Sequence, residues 1–264
     1  MKVDIFDLEG KASEKIELPA VFEEKIREDL IRRAVLATLS NLRQPYGSDP
    51  MAGKRTSAHY HGSRHHRYSM MNKEMARLPR MHGKLSPHLM WRARFVPQAK
   101  KGREAHPPVV EKIWDQKINK KEKRKAIDSA IAATANREIV LRRGHKIKNV
   151  KELPIVVHDD IQKITKTRDL VKFLISIGMG RELERLSERK IRAGKGKLRG
   201  RKYKKKIGFL FVIADDNGIS KSIKNIPGSN VVRVSNLSAN YLAPGTHAGR
   251  LTIWTKSAIE KLRG

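Results

Sequence analysis

Ile207-Gly208-Phe209-Leu210-Phe211-Val212-Ile213-Ala214 is an unbroken apolar run, closed by Asp215-Asp216-Asn217-Gly218. It is far shorter than the ~20 residues that cross a bilayer. A strand with one wet face would alternate polar and apolar positions, so this run reads as a central strand covered on both faces. Its closing residues are turn chemistry. Outward from it, Pro154 to His158, Val231 to Val234 and Leu251 to Thr255 read as further strands. Between them lie a helix over Thr167 to Ile177 stopped by Gly178, a charged helix over Arg181 to Arg192, and a closing helix over Lys256 to Leu262. Strands separated by helices of roughly 10 to 15 residues argue for an open, mainly parallel sheet with helices on both faces.

The N-terminal part fits the same body. Met1 to Phe6 and Glu14 to Leu18 predict a hairpin around Asp7-Leu8-Glu9-Gly10. Ile31, Val35, Leu39 and Leu42 recur at helical spacing from Glu28 to Arg43, and that helix ends near Pro45. A second long helix begins at Asn119, with Glu122 placed for a capping box, and runs to Gly144. The expected fold is α/β. It has a three-layer α/β/α body with an open, mainly parallel sheet of about four strands, made from residues 1–44 and 109–264, plus a long extended irregular arm.

That arm is residues 45–108. It has no isoleucine and one valine, Val96, but 7 of the 11 prolines, 7 of the 10 histidines and 6 of the 8 methionines. Such a stretch cannot build a core, and loops this long are functional or disordered. The chain carries a net charge of +31 over 264 residues, and residues 43–106 hold 14 Lys/Arg against 3 Asp/Glu. Arg43, Lys54, Arg55, Arg64, Arg67, Arg77, Arg80, Arg92, Arg94 and Arg103 are suited to phosphates, and the arginine excess favours forked contacts. Lys84, Lys100 and Lys101 add charge. Tyr60, Tyr68, Trp91 and Phe95 offer flat rings to bases, and His59, His61, His65, His66, His82 and His106 can stack or donate to phosphates. Ordering such an arm costs ~1 to 2 kcal/mol per residue. Most of residues 50–105 are therefore expected to be disordered in the free protein.

A second basic element spans residues 189–206, with 11 Lys/Arg and no acid: Arg189, Lys190, Arg192, Lys195, Lys197, Arg199, Arg201, Lys202, Lys204, Lys205 and Lys206. Its interleaved glycines let the backbone follow a phosphate groove, so direct RNA contact is favoured over a merely solvated face. There is no cysteine, so disulfides and Cys-ligated zinc are excluded. His59, His61, His65 and His66 are near neighbours, but a zinc site would need all four from one flexible loop, and no metal or cofactor is expected. The pairs Asp159-Asp160 and Asp215-Asp216 end predicted strands, where active sites of open α/β sheets lie. Neither has a phosphate-binding or metalloprotease motif around it, so no enzyme is expected. No leader peptide is expected, since Met1 to Leu8 already alternates like a strand, and the expected compartment is the cytoplasm.

Three motifs then carry a family resemblance. They are Asp49-Pro-Met-Ala-Gly-Lys-Arg-Thr-Ser-Ala58, then Arg94-Phe-Val-Pro-Gln-Ala99 with Gly102-Arg103 and Ala105-His-Pro-Pro108, and finally Leu242-Ala-Pro-Gly-Thr-His-Ala-Gly-Arg-Leu-Thr-Ile-Trp-Thr255. With Leu30-Ile-Arg-Arg-Ala34 they span most of the chain in order, and the chain resembles the archaeal and eukaryotic branch of the large-subunit ribosomal protein four family. The resemblance implies a non-enzymatic body seated on large-subunit rRNA beside other large-subunit proteins. It also implies an arm whose tip, around Met81 to Trp91, helps form the constriction of the peptide exit tunnel near the nascent peptide. His247 and Arg250 in the last motif join the expected RNA contacts. Residues 59–76 depart from the family, which is glycine-rich where this chain is histidine-rich. Membrane and DNA are not expected partners. The alternative readings are a free RNA-binding factor, or an RNA-processing enzyme built on Asp215 or Asp159.

Overall fold

The computed structural model describes every residue except Asn72 and Gly264. The chain forms two units, Met1–Leu42 with Asp115 onward, and Arg43–Trp114. No described helix is long and apolar enough to cross a membrane.

The first unit is organised by one six-stranded sheet. Its strands are β1 (Lys2–Phe6), β2 (Ala12–Glu17), β3 (Ile155–Val157), β6 (Leu210–Ile213), β7 (Asn230–Arg233) and β8 (Thr252–Thr255), in the order β2-β1-β3-β8-β6-β7. A separate ladder pairs β4 (Lys190–Ile191) with β5 (Tyr203–Lys204). The sheet has six strands rather than about four because the N-terminal hairpin joins it: β1 runs parallel to β3 through Ile5 with Val156 and Phe6 with Val157. Within this six-stranded sheet β1 and β2 are antiparallel and the other neighbouring pairs are parallel.

Alternation along the covered strands sorts their side chains onto two faces. Val156, Leu210, Val212 and Trp254 enter one apolar cluster, and Ile155, Val157, Phe209, Phe211, Ile213 and Ile253 enter the other. Helices α1 (Glu28–Asn41), α2 (Lys120–Ala135) and α7 (Lys256–Arg263) supply Ile31, Val35, Ile131 and Ile259 to the first. Helices α4 (Thr167–Ser176) and α6 (Ile219–Asn225) supply Leu170, Phe173, Ile219 and Ile223 to the second. Each such buried side chain contributes roughly 1.5–3 kcal/mol to the body. Phe22 meets Trp254 edge-on at 5.4 Å.

Several boundaries differ from those the sequence predicts. The second long helix breaks at Asn136, whose side chain accepts from the N–H groups of Glu138 and Ile139 and starts α3 (Arg137–Arg142). The capping box at Asn119 does not form: its side chain makes no capping bond, and Glu122 pairs with Arg33 at 3.1 Å. The charged helix α5 (Gly180–Ser187) stops before the basic cluster instead of running to Arg192. Leu39 on α1 and Leu42 just past its end are exposed, so the apolar stripe outlasts the core beneath it. Both predicted glycine stops form. At Gly144 (φ +99°) and Gly178 (φ +86°), the N–H two residues past the cap reaches back to the carbonyls of Val140 and Leu174, at 3.4 and 2.9 Å.

Candidate nucleic-acid interface

The arm begins and ends at a ring clamp. Trp114 stacks on Tyr46 at 5.8 Å, and the Arg43 guanidinium lies over it at 3.6 Å. The Ser48 N–H donates to the Pro108 carbonyl at 3.1 Å. A second clasp joins the two arm motifs. A Cβ on Gly53 would stand 2.5 Å from the Gly102 carbonyl oxygen, and one on Gly102 would stand 1.9 Å from the Val96 carbonyl oxygen. Only glycine allows this approach.

Beyond the clasps the chain doubles back. His59 pairs with Arg80 and Arg80 with Ala93 in isolated antiparallel bridges. Met81 and the Trp91–Arg92 backbone exchange hydrogen bonds of 2.8 and 3.0 Å, closing a loop that holds the turn Pro87–Leu89. Arg80 is spent inside the arm, donating to the Ala76 and Trp91 carbonyls, and Arg94 donates to the Lys100 carbonyl at 2.6 Å. Trp91, Phe95 and Lys101 sit at φ of +62°, +72° and +61°. Side chains as large as these rarely adopt that backbone, and it persists only where the surroundings hold it.

The predicted cations and rings fall into three groups. Arg43, Lys54, Arg55, Arg64, Arg67, Arg77, Lys84, Arg92, Lys100 and Lys101 are exposed, as are Tyr60, Phe95, His59, His65, His66 and His106. Arg55 pairs with Asp49 at 2.5 Å. His61, Tyr68, Arg80, His82, Trp91, Arg94 and Arg103 are half-buried. Burial first, then the neighbouring imidazoles, holds His61 and His82 below the ordinary histidine range. Arg250 forms the third group alone.

Arg250 corrects an expectation. It is 2% exposed, and its guanidinium donates to the carbonyls of Gly208 (2.8 Å) and Tyr241 (2.9 Å) and to Asn230 Oδ1 (2.6 Å). Its donors are taken up by these acceptors inside the body rather than offered at the surface. It ties the entry of β6 to the loop before β8, and burial lowers its pKa, with Arg143 adding a smaller push.

In the body the basic run folds into a short hairpin. Lys190 pairs with Lys204 and Ile191 with Tyr203, and the Arg192 N–H donates to the Lys202 carbonyl at 2.8 Å. The turn, over Lys195–Lys197, follows Gly194 at φ +76°. Arg189 and Lys202 approach the Tyr203 ring at 5.8 and 5.6 Å. Arg189, Lys190, Lys195, Lys197, Arg199, Arg201, Lys202, Lys204 and Lys205 are exposed; Arg192 and Lys206 are half-buried. Lys190, Lys204, Lys205, Lys206 and His247 line one open cavity of about 810 Å³. Arg142 and Arg185 line it too, and the sequence reading missed both, since each looks like an ordinary charge on a helix.

The wall of this cavity is anchored by a buried carboxylate. Glu182 is fully buried and accepts from Arg185 (2.6 and 2.9 Å), His145 Nδ1 (2.7 Å) and the Lys146 N–H (2.9 Å). Burial opposes its charge, but Arg185, His145 and the backbone donor outweigh it and hold its pKa at about 2. The acidic pairs are also structural. Asp159 accepts from the Ser257 N–H (3.1 Å) and Gln162 (3.0 Å), Asp160 pairs with Lys163, Asp215 pairs with Lys261, and Asp216 accepts from the Gly218 N–H (3.1 Å) and Ser220. Asp159 and Asp216 thus cap helix starts, and Asp160 and Asp215 make surface ion pairs.

Residues 16–264 match the family described as the ribosomal protein L4/L1 family. Proteins named large ribosomal subunit protein uL4 are similar over nearly the whole chain. That of Methanosphaera stadtmanae is 47% identical over 262 residues, covering 99% of this chain and 96% of its own length. Those of Methanopyrus kandleri and Archaeoglobus fulgidus are each 47% identical over 263 residues, covering 99% of this chain and 98% of their own length.

Proposed function

The chain belongs to the ribosomal protein L4/L1 family, and from that premise we propose that it is a structural, non-enzymatic constituent of the large subunit of cytoplasmic ribosomes. Its arm and its β4–β5 hairpin bind large-subunit rRNA. The observation that carries the RNA contact is the pair of basic elements, whose cations are mostly exposed and, among the described residues, pair with a carboxylate at Arg55 and Lys206 alone. A charge of this size repels itself unless a polyanion relieves it. Left-handed backbone at Trp91 and Phe95 supports an arm whose shape is completed by contact. The loop from Met81 to Trp91 is the arm tip, which contributes to the exit-tunnel constriction beside the nascent peptide. Exposed Leu39 and Leu42 at the end of α1 offer an apolar face to a neighbouring subunit protein.

A tagged copy fractionated on a high-salt sucrose gradient tests the reading. Salt-resistant sedimentation with the large subunit is expected. A chain that stays near the top bound to RNA is instead a free RNA-binding factor. A photoreactive residue at Leu85 should crosslink to a nascent chain, whereas one at Lys205 should crosslink to RNA alone.

A further inference from the structure

Three imidazoles in the arm converge although the sequence separates one from the other two. His59 and His61 alternate along one segment, and the antiparallel bridge between His59 and Arg80 brings His82 beside them. One ring nitrogen from each of the three lies within 4.8 Å of the others, and no carboxylate or thiolate belongs to the group. The ring centroids stand 4.3 Å (His59–His82), 4.4 Å (His59–His61) and 4.7 Å (His61–His82) apart.

Hydrogen bonding decides which nitrogens are available. His59 Nδ1 donates to the Ser57 carbonyl at 2.8 Å, which leaves the lone pair on Nε2. Metal-binding histidines are commonly oriented by a bond of this kind. The Nε2 atoms of His61 and His82 are buried without any hydrogen-bond partner. Such orphaned groups are rare and require an explanation. His66 stacks on His61 at 3.6 Å, but its Nδ1 accepts from the Tyr68 N–H at 3.1 Å, so its proton sits on Nε2 and it offers no ligand. Tyr68 stacks on His82 at 4.5 Å. Stacked neighbours thus hold both orphaned rings in place.

We propose that His59, His61 and His82 bind one divalent transition-metal ion of the zinc type, leaving a fourth position open. Imidazole suits zinc, nickel and copper, whereas magnesium and calcium need oxygen ligands. Zinc–nitrogen bonds of 2.0–2.1 Å place tetrahedral ligand atoms roughly 3.3 Å apart, a closure within reach of small side-chain rotations. Binding satisfies both orphaned nitrogens and ties the His59 segment to the start of the tip loop.

The test titrates zinc into the full-length chain against a chromophoric chelator, with body melting confirming that each variant is folded. One zinc per chain is expected, at least tenfold weaker in His59→Ala, His61→Ala and His82→Ala, and unchanged in His65→Ala. His82→Ala is the discriminating variant, because a flexible histidine-rich loop that chelates by itself has no use for His82. Absence of stoichiometric binding overturns the proposal. So does wild-type affinity in His82→Ala, or an equal loss in His65→Ala.

Discussion

The body and the arm are stabilised by different means. The body buries an apolar cluster on each face of its sheet, whereas Met70 is the one apolar side chain fully buried among the described residues of the arm. The arm is held by backbone bridges, ring stacks and two clasps. Each of these contributes on the order of 1 kcal/mol, less than the entropy of ordering so many residues. A fold built from contacts of that kind is conditional on its surroundings, and a fold built on area burial is not.

Limited proteolysis gives the largest separation. In the RNA-free chain, trypsin should cut within residues 50–105 at least ~100-fold faster than within the body, since local opening free energies run from near zero up to the global value. Equal protection of both units would erase the contrast. Within the body, Arg250→Ala should cost about 4 kcal/mol, because it strips donors from buried carbonyls and leaves a cavity. Thermal melting reads this, and a loss below about 1 kcal/mol would show that the carbonyls find water instead.

The next effect depends on pH. Glu182 is held at about 2 in the folded body, against roughly 4.3 unfolded, so the unfolded state takes up protons first on acidification. Its stabilisation, on the order of 3 kcal/mol, is fully present above about pH 4.5 and is lost as pH falls toward 2. Denaturant midpoints of wild type and Glu182→Gln should converge over that window. The smallest effect on folding sharpens the contrast from the other side. Arg92→Ala with Arg94→Ala should leave body melting unchanged within about 0.5 kcal/mol, yet weaken rRNA binding and shallow its salt dependence. A fall in body melting would show that these arginines support the body.

Local chemistry made much of this legible. The apolar run at Leu210–Ile213, the glycine stops at Gly144 and Gly178, and the arm's lack of branched aliphatics all act within a few residues. What escaped depends on pairing between distant segments. The hairpin joins the sheet through Ile5 and Val156, and no local pattern records that choice. Asn136 reads equally well as helix interior or as a cap, and only the break reveals which. Arg250 looks like a surface cation until the carbonyls of Gly208 and Tyr241 meet around it. His82 joins His59 and His61 only because the arm doubles back, so a search confined to neighbouring histidines selected His65 and His66 instead.

The clasp at Gly53 and Gly102 has an evolutionary consequence. It fixes how the two motifs meet by forbidding even a methyl group there, a constraint that falls on the neck and not on the span between its halves. Insertions, deletions or a new ligand set can arise in that span without disturbing the attachment. Chimeras exchanging only residues 59–76 should therefore retain the neck of whichever chain receives them.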